Sequence, residues 1–149
     1  MEIRLVDDDK KRFMPLLLLG DEQESMIDRY LDRGDLYVMQ AADGTVAAVA
    51  VVTHEGEGVC ELKNIAVSVQ LQRQGIGRKM VEYLCRRYKA QYATMLVGTG
   101  DSLATTEFYA TCGFEYSHTV PDFFTLNYDH PIIENGTLLK DMIYFKRKL

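Results

Sequence analysis

The sequence has no tryptophan, only three prolines and three cysteines, and no long apolar run. Leucines 16–19 form a run of four, and no stretch approaches the roughly 20 apolar residues of a membrane-spanning helix. The start, MEIRLVDDDKK, lacks a basic segment followed by an apolar core and a small-residue cleavage site, so no secretory leader is expected. Cys60, Cys85 and Cys112 lie about 25 residues apart with no CxxC pair. That spacing suggests neither a disulfide framework nor a zinc site, and predicts three small buried hydrophobes in a reducing, cytoplasmic setting. His54, His118 and His130 have no ligand spacing among themselves or with cysteine, so no metal is expected. No GxSxG run supports a serine hydrolase. Acidic residues outnumber basic ones, 22 to 17. The net charge of −5 disfavours nucleic acid and anionic membrane as partners, and suits a cationic small molecule or basic peptide.

What is present suits one ordinary globular domain spanning residues 1–149: apolar residues make up 47% and charged residues 26%. Strands are expected over residues 2–6, 36–41, 45–53, 59–69, 92–97, 114–120 and 138–146. Asp43-Gly44 is read as a type I′ hairpin turn, residues 55–58 as a polar turn, and Gly98-Thr99-Gly100 as the break after the fifth strand. Residues 9–20 and 22–32 read as helices, the first bent near Pro15. Ile76, Met80, Leu84 and Tyr88 repeat every four residues, with Gly77, Val81 and Cys85 widening the stripe, which predicts a strong amphipathic helix. A further helix is expected over 102–111, stopped by Gly113, and residues 121–136 read as irregular. The order is that of a mixed α/β (α+β) fold: an antiparallel meander leading into a strand–helix–strand crossover.

The sharpest local feature is Gln72-Arg73-Gln74-Gly75-Ile76-Gly77-Arg78-Lys79, which follows a strand and opens the strong helix. The first turn of a helix carries N–H groups without intrahelical partners and partial positive charge. Two glycines keep side chains away, and Arg73, Arg78 and Lys79 add cations in an acidic chain. This combination suits a phosphate or pyrophosphate. A P-loop is absent, and GxGxxG is only half matched because Met80 stands where the third glycine belongs. Close packing at an ordinary helix start, and a small dinucleotide-binding domain, both remain open from these residues alone.

Gln72-x-x-Gly75-x-Gly77 after LKNIAVSV resembles the [QR]-x-x-G-x-[GA] motif of the GNAT family of acetyl-CoA-dependent N-acetyltransferases. The run from Ser102 to Phe114 is similar to that family's second motif. Phe108, Tyr109, Gly113 and Phe114 fall in place, whereas Ser102 and Thr105 replace Asn and Ala. The resemblance is strongest from residue 45 to 116. It implies a mostly antiparallel mixed sheet flanked by about four helices. It implies acetyl-CoA as co-substrate, held through the backbone of Ile65, Ala66 and Val67, the turn amides of Gln72, Arg73, Gln74, Gly75, Ile76, Gly77, Arg78 and Lys79, and Ser102.

A thioester that gives up its acyl group releases a thiolate, and the resemblance implies that Tyr109 assists that departure; on its own, Tyr109 reads first as a packing aromatic on a short amphipathic helix. A lysine-like amine, with a pKa of about 10.4, needs a base before it attacks. Glu61, on the strand expected to line the cleft, is the best candidate, with a structural ion pair as its other reading. A backbone N–H near Ile65 or Val67 would polarise the carbonyl. By resemblance the acceptor pocket falls to residues 13–26 and 118–137. Phe123, Phe124, Tyr128, Asp122, Asp129 and Glu134 would line it, and Asp21, Glu22 and Glu24 would attract an amine. The expected function is direct acetyl transfer to a small-molecule or peptide amine without an acyl-enzyme, with a non-catalytic acyl-CoA-binding module as the rival. Exposed aromatics make a homodimer plausible.

Overall fold

The computed structural model describes residues Met1–Leu149. Seven strands form one sheet in the order β1-β2-β3-β4-β5-β9-β6. They are β1 (Glu2–Val6), β2 (Asp35–Gln40), β3 (Val46–Gly56), β4 (Val59–Val67), β5 (Thr94–Gly100), β6 (Glu115–Val120) and β9 (Met142–Lys148). All neighbouring pairs are antiparallel except β4 and β5. One parallel pair in an otherwise antiparallel sheet excludes the doubly wound parallel architecture that the dinucleotide reading required.

Helices cover both faces. On one side α1 (Met14–Gly20), the one-turn helix α2 (Glu24–Ile27) and the turns after it bury Leu17, Ile27, Tyr30 and Leu31 against Leu36, Val38, Val49 and Val51. On the other, α3 (Ile76–Tyr88) lays Ile76, Met80, Leu84 and Tyr88 on Tyr37, Ala48, Ala50 and Val52. Strand β3 therefore has both faces in a core, which explains its apolar run: alternation decides only which core each residue joins. Helix α4 (Leu103–Thr111) sits on the α3 side through Tyr109 and ends at Gly113, whose φ of +87° supplies the left-handed stop. All three cysteines are free and buried, and burial pushes the Cys60 thiol up to about 12.

Several local expectations need correction. The second predicted helix forms only over α2; Tyr30 and Leu31 still reach the core from turns, so helical spacing of apolar residues was satisfied without a continuing helix. At Pro15 the first helix divides into a 3₁₀ turn (Lys10–Phe13) followed by α1, with the proline in the first turn where its missing N–H costs nothing. The β2–β3 turn is not type I′, because Gly44 but not Asp43 has positive φ; Ala41 accepts from Gly44 N–H and donates to Thr45. Strand β4 ends at Val67, before a 3₁₀ turn at Val69–Leu71. Gly98 and Gly100 lie within β5 rather than after it. A Cβ at Gly98 would sit 2.9 Å from Met142 Sδ, and one at Gly100 2.5 Å from Leu139, so both glycines make room for crossing side chains. The segment 121–136 contains α5 (Phe123–Asn127) and β7 (Ile133–Glu134), which pairs with β8 (Thr137–Leu138).

Candidate active site

Strand β4 carries a bulge. Val51 pairs with Asn64 and Val52 with Leu62, leaving Lys63 as an extra residue. The bulge reverses the alternation. Leu62 packs with the α3-side core, whereas Asn64 and Ala66 turn to the α1 side. Parallel pairing with β5 stops at the same point: the last partners are Leu62 and Val97. Beyond it β4 continues along β3 to Val67, and β5 continues along β9 to Gly100. The sheet therefore opens into a wedge, with the β5-side backbone edge of residues 63–67 free of any strand partner.

A cavity of about 340 Å³ fills the mouth of the wedge, between Lys63, Asn64 and Ile65 on one side and Gly98, Thr99 and Gly100 on the other. Tyr109 lines it from α4. Its ring is held by Phe108, Phe114 and Phe145 at centroid distances of 5.1, 5.9 and 6.4 Å, yet its hydroxyl makes no hydrogen bond within the protein. Burial raises its pKa well above the ordinary phenol range, which keeps the proton on the oxygen. Gly20, at the end of α1, closes the other wall; a Cβ there would lie 2.9 Å from the Ile65 carbonyl oxygen and closer still to Asn64 Oδ1. Asn64 Nδ2 donates to the Leu17 carbonyl (3.0 Å) and Tyr30 Oη (3.1 Å), while its buried Oδ1 has no partner.

Glu61 does not line this cavity. It faces an adjoining one of about 220 Å³, bounded by the same Asp21, Lys63, Gly98, Tyr128 and Met142 and continued by Tyr30, Arg29, Arg33, Phe123 and Tyr144. Glu61 is 6% exposed and bonded to Lys63 Nζ at 3.1 Å. Burial raises its carboxyl pKa above the usual range, and Lys63 pulls it only part of the way back. Between the two cavities, Asp21 accepts from Tyr128 Oη (2.6 Å) and Tyr30 Oη (3.0 Å), and burial raises its carboxyl too.

The turn before α3 lies beside the far end of β4. Gln72 Nε2 donates to the Val67 carbonyl at 3.1 Å. Arg73 (φ +63°) and Gly75 (φ +80°) are left-handed, and a Cβ on Gly75 would meet nothing within 4 Å. The N–H groups of residues 73–78 have no backbone acceptor. Arg73, Arg78 and Lys79 are exposed and outside every ion pair. Gly77 has a packing role besides the one expected. A Cβ there would lie 3.3 Å from Phe108, so the missing side chain also lets α3 meet α4. The Ile76 side chain is likewise core, leaving only its amide for a ligand.

The remaining candidates divide. Ile65 lines the main cavity and Ala66 packs toward α1. Ser102 is buried at the start of α4, where its carbonyl accepts from Thr105 and Thr106, and it does not line the cavity. Of the residues expected around an acceptor, Asp21, Glu22, Phe124, Tyr128 and Glu134 border the main cavity and Phe123 the second. Asp122 is tied to Lys140, Glu24 to Lys11 and Asp129 to His130, away from both. Lys63, Asn64 and Arg29 were not singled out from sequence. For the first two a signal existed, since polar residues interrupt an otherwise buried strand; Arg29 reaches the site only through the tertiary fold.

Comparison with known proteins gives consistent matches. A family profile described as an acetyltransferase (GNAT) domain matches residues 32–116. The uncharacterized N-acetyltransferase YvbK of Bacillus subtilis is 34% identical over 145 residues, covering 96% of this chain and 93% of that protein. A GNAT family acetyltransferase from Elizabethkingia anophelis, solved with acetyl-CoA bound, is 31% identical with a TM-score of 0.93 over 99% of this chain and 97% of its own. A Bacillus subtilis acetyltransferase solved with CoA is 33% identical with a TM-score of 0.89, over 99% and 98% respectively. No helix of the chain is long and apolar enough to cross a membrane.

Proposed function

The chain belongs to the GNAT acetyltransferase family, and from that premise we propose that it transfers an acetyl group from acetyl-CoA to a primary amine by direct attack, without an acyl-enzyme. One observation carries the reading: β4 and β5 part after Leu62 and Val97, and the unpartnered hydroxyl of Tyr109 stands on the wall of the gap. A relative of the same fold was solved with acetyl-CoA bound.

The residues fit such a co-substrate. The free backbone edge of 63–67 suits an amide-bearing arm laid beside it as a strand would be. The unpaired amides of 73–78, the open space at Gly75 and the free Arg73, Arg78 and Lys79 suit a pyrophosphate. Acetyl-CoA supplies a thioester carbonyl and a thiolate leaving group. Tyr109, kept protonated by burial, donates toward the sulfur as negative charge develops there. An amide N–H of the free β4 edge, near Ile65 or Val67, donates to the carbonyl oxygen. Glu61, in the adjoining cavity, takes the proton of the incoming amine directly or through a water. Cys60, with its raised pKa, is no nucleophile.

The test is CoA release, followed with a thiol reagent, from acetyl-CoA mixed with the protein and a panel of amines. Amine-dependent release that saturates in both substrates is the expected result. Saturable acetyl-CoA binding in a calorimeter, with no release on any amine, would overturn the catalytic reading and leave a non-catalytic acyl-CoA-binding module.

A further inference from the structure

The cavity that holds Glu61 has ends of opposite charge. At the inner end is the Glu61 carboxylate, 6% exposed. Three cations border the same space: Lys63, Arg33 and Arg29. Two are already neutralised, Lys63 by Glu61 at 3.1 Å and Arg33 by Glu55 at 2.8 Å. Arg29 is not. It makes no ion pair, and its only side-chain hydrogen bond is a long one, 3.3 Å, from Nη1 to the neutral Asn127 Oδ1. It lies exposed at the rim, so the cavity runs from the buried Glu61 past Asp21, which accepts from Tyr30 and Tyr128, to a guanidinium that makes no ion pair. The walls between are aromatic, from Tyr30, Phe123, Tyr128 and Tyr144.

Resting on the function proposed above, we propose that the acceptor is a small amino-acid-type zwitterion with an apolar body, its amine facing Glu61 and its carboxylate held by Arg29. A guanidinium matches a carboxylate in a two-pronged geometry that an ammonium lacks, and here no internal carboxylate forms an ion pair with it; Asp21, in the same lining, is held by the Tyr30 and Tyr128 hydroxyls. The aromatic walls suit the body of such a molecule better than a second charge. The cavity of about 220 Å³ favours a free small molecule over a folded protein segment. The chain's net charge of −5 suggested a cationic acceptor; at the rim of this cavity stands a guanidinium outside every ion pair, and local charge decides what is recognised there.

The experiment compares matched acceptors: L-leucine, L-methionine, L-phenylalanine and L-tyrosine, each against its own primary amide. CoA release is followed at saturating acetyl-CoA. The expected result is that at least one free acid is used with a kcat/KM about tenfold or more above its amide. Arg29→Met should bring that ratio to within about twofold, chiefly by raising KM for the acid, and Arg29→Lys should recover part of the preference. Arg29 is exposed, so these variants are expected to fold. Amides used as well as the acids overturn the inference, as does a preference that survives Arg29→Met. So does the absence of turnover with every member of the panel by a protein that binds acetyl-CoA in the calorimeter. A folded protein that fails to bind acetyl-CoA at all removes the function beneath the inference, and the inference falls with it.

Discussion

Replacing Tyr109 with Phe is expected to lower kcat about 100-fold or more on any amine the enzyme accepts, because the substitution removes one proton donor and little else. The ring contacts with Phe108, Phe114 and Phe145 are made by carbon and survive the change. The hydroxyl has no partner inside the protein, so its loss strands no donor or acceptor. Acetyl-CoA affinity should stay within about threefold of the parent, since the arm and the pyrophosphate are held elsewhere, and thermal stability should be unchanged or slightly raised. Steady-state kinetics, calorimetric titration and a melting curve on the same preparation check all three. An unchanged kcat would return Tyr109 to a packing role.

Replacing Glu61 with Gln is expected to reduce kcat/KM about 100-fold or more while leaving the protein at least as stable at pH 7. The reasoning is one of sign. Glu61 has its folded-state pKa raised, first by burial and against the pull of Lys63. A raised carboxyl binds its proton more tightly in the folded chain, so this group's contribution falls as pH rises from the unfolded value, about 4.5, through the folded one. At pH 7 the ionised side chain is a cost, and the amide, which still accepts from Lys63, removes it. A site that loses activity and gains stability on neutralisation is one where charge is kept for function. Melting temperatures from pH 4 to pH 8 should show the parent losing ground to the variant as pH rises. A drop of several degrees for the variant at pH 7 would instead make Glu61 a structural partner of Lys63.

Much of this frame was legible from the residue order. Strand β1 spans the expected residues 2–6, and the stripe Ile76, Met80, Leu84 and Tyr88 is the buried face of α3. The stripe depends on periodicity, which local backbone geometry enforces. Gly113 stops α4 for an equally local reason. The failures have a different origin. The stretch after Gly20 has helical spacing but is consumed by turns once its apolar groups reach the core, and Gly98 and Gly100 punctuate nothing because long-range neighbours, Met142, Tyr144 and Leu139, occupy the space a side chain would need. The site divides in the same way. Gln72 to Lys79 and Tyr109 could be proposed from sequence because their motifs are contiguous. Glu61 was found on its strand, but its separation from the Tyr109 cavity follows from the bulge at Lys63 and the parting of β4 from β5, and no motif records either. Arg29 and the tyrosines on Asp21 come together only because α1, α2, β4 and the segment after β6 converge.

The most direct test of the central claim, that the open wedge between β4 and β5 seats acetyl-CoA, is a backbone amide NMR titration of the intact protein with that compound. Saturable shifts are predicted at Ile65, Val67 and residues 74–78, with the amides of β1 unmoved because that strand lies at the far edge of the sheet. Saturation with the shifts elsewhere, or no saturable shift in a folded protein, would contradict it.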